Sequence, residues 1–255
     1  MSGLTSDDVV VVTGAAGPAG RAVVRRLVSD GASVIGVDTD LDRLDAVRDG
    51  LGTHRDRFTC SVVDLLDEAA TKEFAGRLWA AGGGGSAASG RVDGVVHLVG
   101  GYRGGSRFTD NTTQDWLFLH GLLIRTVQNV SLAFHDALLA SPAARFVLVS
   151  ATAASFPTAG SAGYAAAKAA AEAWTMALAD SFRREQSARA PEPRRQSAAA
   201  TVLVVKALVH DDLRAAHPGA TFDGYTDVAD LADVVAGLWD SDGALVNGVR
   251  RVIAP

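Results

Sequence analysis

Short runs of β-branched residues recur along this chain, each followed by a longer stretch with helical spacing, and that alternation restricts it to a narrow set of folds. The runs read VVVVTG at 9–14, SVIGVD at 33–38, FTCSVVD at 58–64, GVVHLVG at 94–100, RFVLVS at 145–150, TVLVVKA at 201–207 and VRRVIA at 249–254. Helical patterns lie between them near 19–30, 40–49, 67–81, 113–140, 163–185 and 227–239. A parallel sheet covered on both faces requires this order of elements. The expectation is therefore an α/β chain: a doubly wound parallel sheet of Rossmann type, about seven strands, with helices on both faces.

A length of 255 residues is enough for one large core, and a single domain over 1–255 is expected. GGGGSAASG at 82–90 brings almost no side chain to bury and reads as a surface loop inside that domain, because the strand after it completes the sheet begun before it. SARAPEPRRQSA at 187–198, charged and proline-bearing, reads as a loop projecting from the sheet edge opposite the ligand. The net charge of −5 and pI near 5.6 leave no broad basic surface, which argues against nucleic acid or anionic membrane as partner and for small molecules and other subunits. Cys60 is the only cysteine and the six histidines show no ligand spacing, so neither a disulfide framework nor a metal site is expected, and a reducing, cytoplasmic setting fits. The start MSGLTSDD lacks the charged and apolar regions of a signal peptide, and no apolar run approaches the roughly 20 residues of a membrane span.

The first run leads straight into TGAAGPAG and then into a helical pattern. Glycine has a task at each place: a tight turn at Gly14, backbone approach to a pyrophosphate at Gly17, and close helix–sheet packing at Gly20. The helix start would offer free N–H groups to an anion. The second run ends in Asp38, where such folds place a carboxylate on an adenosine ribose. A carboxylate there accepts from both ribose hydroxyls and repels a 2′-phosphate, so NAD is expected and NADP disfavoured. Asp64 closes the third run in VVDLLD, beside where an adenine would lie.

YAAAK at 164–168 carries the chemistry. Of the 24 basic residues only Lys72, Lys168 and Lys206 are lysines, and Lys168 lies one helical turn after one of three tyrosines. At i and i+4 the two share a helix face, so the ammonium would favour phenolate at Tyr164, draw its pKa of about 10 downward and fit it for general acid or base work.

Strand–TGAAGPAG–helix, Asp38, VVDLLD, the HLVGG after the fourth strand and YAAAK together resemble the short-chain dehydrogenase/reductase family over essentially the whole chain. The resemblance implies a nicotinamide cofactor, hydride exchange with a small carbonyl or alcohol substrate, and a homo-oligomer, either dimer or tetramer. Carried over by motif, Thr13, Gly14, Gly17, Pro18 and Ala19 would line the pyrophosphate, Asp38 the ribose, Asp64 and Leu65 the adenine, and Gly100 the second ribose. Tyr164 would be the acid/base, and Lys168 its activator and a further hold on the cofactor ribose. The alanine-rich helix carrying them, with the long helix at 113–140, could form a subunit interface.

The pattern is broken in places. The glycine spacing TGxxGxxG is a variant form, and His97 and Leu98 stand where the family has two asparagines. Ala151 occupies the place of the substrate-orienting serine, with Ser150 and Thr152 beside it as replacements. Leu123 falls on the asparagine that kinks the preceding helix and holds a proton-relay water; Lys206-Ala207 and Asp211 replace a Pro-Gly pair and a cofactor-touching threonine. Three functions stand against these residues: an oxidoreductase in which Ser150 or Thr152 orients a carbonyl; a degenerate member that binds dinucleotide weakly or not at all and serves as a sensor or assembly subunit; and a methyl-transfer enzyme, which gives no reason for YAAAK. The first is expected. Its substrate would sit against 101–112, 152–163 and 207–226, where Tyr102, Phe108, Phe156, Phe222 and Tyr225 suggest an apolar pocket.

Overall fold

The computed structural model of the protein describes residues 3–80, 90–187, 189 and 194–253. The tract expected as a surface loop at 82–90 lies, apart from Gly90, outside the described residues, as do positions 188 and 190–193 of the second expected loop. All seven expected strands are present: β1 (Val9–Thr13), β2 (Ser33–Asp38), β3 (Phe58–Val62), β4 (Gly94–His97), β5 (Arg145–Ala151), β6 (Ala199–Val205) and β9 (Val249–Val252). They form one parallel sheet in the order β3-β2-β1-β4-β5-β6-β9. Strand order reverses beside β1, where the connection leaving it runs one way and the strand on its other side leads away in the opposite direction. That reversal opens a crevice at the carboxyl ends of β1 and β4.

Successive side chains on a strand point to opposite faces, and each strand accordingly feeds two cores. Val9, Val11, Val95, Phe146, Leu148, Val202 and Val204 meet α3 (Glu68–Ala80), α5 (Thr126–Ala140) and α6 (Ala162–Glu185) through Phe74, Phe134 and Phe182. Val10, Val12, Val34, Val96, Val147 and Leu203 meet α1 (Pro18–Ser29), α2 (Leu41–Asp49) and α8 (Val228–Ala236). Phe134, Phe146 and Phe182 are fully buried, and truncating one such residue to alanine costs about 3–5 kcal/mol. Arg145 at the start of β5 is buried too, and its guanidinium donates to the carbonyls of Ala144, Ser197, Leu238 and Ser241, tying the sheet to the C-terminal segment.

Two features depart from the sequence pattern. The helix expected at 113–140 is continuous but changes pitch: α4 (Thr113–Leu119) passes through a π-helical stretch at His120–Arg125 before α5. By length and composition this helix could cross a bilayer, contrary to the expectation that no run reaches that size, yet half of its most apolar window is buried inside the protein. Beyond β6 the chain builds a small flap of β7 (Leu208–Val209), α7 (Asp211–Ala216) and β8 (Thr226–Asp227), with β7 and β8 paired in parallel. These strands have two residues each, too short to show periodicity. A last short helix, α9 (Gly243–Val246), precedes β9.

The glycine turn shows how closely α1 packs on the sheet. A Cβ on Gly20 would lie 2.2 Å from the Gly14 carbonyl oxygen and 2.6 Å from Ala15 Cα, both backbone atoms that cannot rotate away. Gly20→Ala should therefore lower the unfolding free energy by about 2 kcal/mol or more. Gly76, inside α3 with open space around it, should gain about 0.5–1 kcal/mol as Gly76→Ala. Urea denaturation of the two variants checks both signs.

Candidate active site

A cavity of about 310 Å³ lies in the crevice, and the glycine turn forms one wall. Gly14 adopts φ 70°, and its N–H donates to the Val37 carbonyl at 2.8 Å. A Cβ there would sit 3.0 Å from the backbone of Leu98 and Val99, so both conformation and space call for glycine. Gly17 is the N-cap of α1, which has no capping side chain, no acid in its first turn and proline at its start. The N–H groups of that first turn thus remain available to an anion in the cavity. The turn and the helix end fit the pyrophosphate of a dinucleotide.

The opposite wall holds Asp38, Asp64, Leu65 and Gly100, as the sequence led one to expect, together with Arg43, Leu122 and Thr126, which it did not single out. Asp38 accepts from the backbone N–H of Ala16 at 3.1 Å through one oxygen and of Thr39 at 2.9 Å through the other. Arg43, in the first turn of α2, donates to the Ala16 carbonyl at 3.0 Å. Asp64 closes its own turn on Leu66 N–H at 2.9 Å, and Asn129 on α5 holds the loop by donating to the Leu65 carbonyl at 2.8 Å. Three expected residues stand apart from the cavity lining. Thr13 is fully buried, its hydroxyl 2.8 Å from His97 Nδ1, and Ala19 packs into the core. Pro18 lines a neighbouring hollow between α1 and the flap, where Asp211 and Asp212 face Arg21 and Arg25, and Arg21 pairs with Asp212 at 2.9 Å. Asp211 itself is fully exposed and lies 3.9 Å from Arg214, one turn along α7. Lys206 anchors the flap by donating to the Asp223 carbonyl at 3.0 Å.

Beyond the cavity, β5 and α6 carry the remaining candidates. Ser150 faces α6, as do Phe146 and Leu148, four and two residues earlier; it is 1% exposed, and its hydroxyl has no hydrogen-bond partner. Thr152, just past the strand, is half-buried in a short turn. Lys168 is 7% exposed, and its ammonium donates to the Val149 carbonyl at 2.9 Å. Burial pulls Lys168 down to about 8, with the charge of Glu172 opposing the fall. The ammonium lies 6.0 Å from the centre of the Tyr164 ring. The drop expected at Tyr164 is not found: burial pushes the phenol above its ordinary range, and Tyr102 adds to the rise. Desolvation outweighs an ammonium held on a backbone carbonyl.

His97, in the place of an asparagine, joins three elements. Its ring lies 2.8 Å from the Thr13 hydroxyl on β1 and 3.2 Å from the Thr126 hydroxyl on α5, which in turn donates to the Leu122 carbonyl at 2.7 Å. Burial drives its pKa down to about 3, and the charge of Lys168 adds to the fall, so the ring is neutral at any ordinary pH. Leu123 is buried within the π-helical stretch, so the helix is distorted there without the asparagine.

A profile of the family described as short chain dehydrogenase matches residues 8–187. The 2,3-dihydro-2,3-dihydroxybenzoate dehydrogenase of Bacillus subtilis (strain 168) is 29% identical over 173 residues, covering 67% of this chain and 62% of its own length, so the chain matches less than two thirds of that relative. Among solved structures, a short chain dehydrogenase of Shigella flexneri 2a str. 301 complexed with NADP superposes with a TM-score of 0.81 at 21% identity, covering 99% of each chain. The NADPH-bound short chain oxidoreductase of Pseudomonas aeruginosa PAO1, described as containing an atypical catalytic center, gives 0.80 at 22% identity over 99% of this chain and 97% of its own. Likeness at that identity concerns the fold.

These structures overturn the expectation that Asp38 selects NAD over NADP, since proteins of this fold are crystallised with NADP and NADPH. The physical reason lies in the turn. Both Asp38 oxygens already accept backbone N–H groups, and the Arg43 guanidinium stands in the same cavity wall, so a 2′-phosphate would not meet an isolated negative charge.

The buried imidazole has a measurable consequence. Above pH about 6.5 His97 is neutral folded or unfolded; between 6.5 and about 3 the unfolded chain binds a proton that the folded chain does not, so stability falls as pH falls. Between pH 7.5 and 5 the wild type should lose about 2 kcal/mol more than His97→Asn, read from urea midpoints at the two pH values.

Proposed function

We propose that this chain, which belongs to the short-chain dehydrogenase family, is an oxidoreductase exchanging a hydride between NADP(H) and a small carbonyl or alcohol, in a single dinucleotide-binding domain. The observation that carries this reading is Lys168: an ammonium buried to 7% exposure, bonded to a backbone carbonyl, one turn after a phenol and beside a crevice that suits a dinucleotide. A buried ammonium is unfavourable by several kcal/mol unless something else is gained from it. The gain proposed is a positive charge under a proton-transferring tyrosine.

In this reading the first turn of α1 and the Gly14–Gly17 backbone hold the pyrophosphate, Asp64 and Leu65 border the adenine, Gly100 borders the second ribose, and Arg43 pairs with the 2′-phosphate while Asp38 keeps the turn in shape. When bound, the cofactor supplies or accepts the hydride. Ser150, whose hydroxyl is buried and unpartnered, orients the substrate oxygen, with Thr152 as the alternative donor. Tyr164 gives its proton to that oxygen during reduction and takes one during oxidation. Its raised pKa keeps the phenol protonated and suits it to the acid role. Lys168 stabilises the phenolate left behind.

A second reading, a degenerate family member that binds dinucleotide weakly or not at all and serves as a sensor or assembly subunit, is favoured by Leu123 and Leu98, apolar side chains where the family places asparagines. Fluorescence titration with NADPH and NADH, followed by a panel of carbonyl substrates, separates the two. Tyr164→Phe should lower kcat at least a hundredfold while leaving the NADPH Kd within about threefold; no detectable binding of NADPH or NADH would support the second reading. Arg43→Ala should weaken NADPH about tenfold or more and leave NADH nearly unchanged; equal losses for both would exclude the 2′-phosphate role. Because Lys168 loses its proton as pH rises through about 8, carbonyl reduction should decline above that pH.

A further inference from the structure

The segment after β4 reads LVGGYRGGS, and it is stitched to the start of α6 more closely than side chains would permit. Gly105 N–H donates to the Gly160 carbonyl at 2.8 Å, and a Cβ on Gly160 would fall 1.9 Å from the Gly105 oxygen. Asn111 completes the seam, donating to the Ala159 carbonyl at 3.0 Å and accepting from Gly163 N–H at 3.2 Å. A Cβ on Gly104 would lie 2.5 Å from the Tyr102 hydroxyl oxygen, so the chain folds closely under that ring. The result is a fixed pair of phenols: Tyr102 meets Tyr164 edge to face, centroids 5.1 Å apart and planes at 71°.

Tyr102 nonetheless remains 61% exposed. The ring is held by backbone packing, meets Tyr164 on one side and is open to solvent on the other. Phe108 and Phe156 are exposed on the same two loops, and the turn at Phe108–Asp110 packs on the turn at Ala159–Ser161. Exposed aromatic surface concentrated at the mouth of a site is surface that a ligand would cover.

We propose that Tyr102 is a specificity-determining residue that selects carbonyl compounds borne on a flat aromatic or conjugated ring, by offering its open ring as a stacking surface beside Tyr164. The proposal rests on Tyr164 being the proton donor, and it adds the substrate class. Ring–ring contacts add to what area burial supplies, enough for a several-fold preference over a saturated ring of the same size. The ring and not its hydroxyl carries the effect, so phenylalanine should replace tyrosine and leucine should not.

The test uses acetophenone and cyclohexyl methyl ketone as probes, with saturation-transfer NMR on the full chain in the presence of NADP, and with Tyr102→Phe and Tyr102→Leu beside the wild type. The wild type and Tyr102→Phe should bind acetophenone about threefold or more tightly than cyclohexyl methyl ketone, and Tyr102→Leu should bind both alike. In turnover, Tyr102→Leu should raise KM for acetophenone about three- to tenfold with kcat within twofold. NADPH titration of each variant, expected to match the wild type, confirms that the cofactor site and the fold are intact. Equal binding of the two ketones by the wild type, a preference that survives in Tyr102→Leu, or no measurable binding of either ketone would overturn the proposal. Ring-selective binding without reduction of any carbonyl would instead leave the aromatic wall standing and remove the redox reading on which it was built.

Discussion

The constraint on which everything else depends is the reversal of strand order beside β1. Parallel strands have their carboxyl-terminal ends on one edge, and where neighbouring connections diverge no helix covers that edge. Into this gap the chain brings the glycine turn, the ends of β2 and β3, the loop after β4 and, from the helix at 113–140, Leu122 and Thr126. None of these segments is close to all the others in sequence, and each is placed by burial of the two helix layers. The cavity is thus a by-product of core packing, and its residues keep their geometry because β1, β2 and β4 behind them are almost wholly buried.

Inside that frame the chain has exchanged polar groups without leaving many of them unsatisfied. His97 finds hydroxyl partners on β1 and α5, Asn129 holds the loop after β3, and Arg145 is enclosed by carbonyls. The Ser150 hydroxyl is one of the few buried side-chain groups without a partner among the described residues, and it lies on the strand whose end faces α6. Buried polar groups are usually paired, so this orphan stands out from the rest of the interior. The π-helical stretch at His120–Arg125 persists although Leu123 cannot hydrogen-bond through its side chain, so the change of pitch arises from packing of this segment on α6 and the core and not from one polar residue.

Asp38 shows where reasoning from spacing reaches its limit. The interval from Gly14 located a carboxylate at the end of β2 and in the cavity wall, as expected for this fold. What the carboxylate bonds to was not legible, because its partners are backbone groups of Ala16 and Thr39 whose directions depend on how the glycine turn closes. Arg43 was missed for the same reason: an arginine in the first turn of a surface helix carries no signal until the helix is docked. Tyr102 was noticed only as one of several loop aromatics, since nothing in GGYRGG tells which ring will meet Tyr164. Thr13 reads as part of the nucleotide turn, yet its hydroxyl points to a histidine 84 residues away.

The sequence by itself determined the seven strands, their helices, the glycine turn and the tyrosine–lysine couple, because periodicity, glycine at positions hostile to a Cβ and a four-residue helical interval are local properties. Tertiary structure alone decided the direction in which burial shifts Tyr164, the partners of Asp38, the contact of Tyr102 with Tyr164 and the flap built from two-residue strands. Each of these depends on distances between segments far apart in the chain, and on how much water remains between them, which no local pattern encodes.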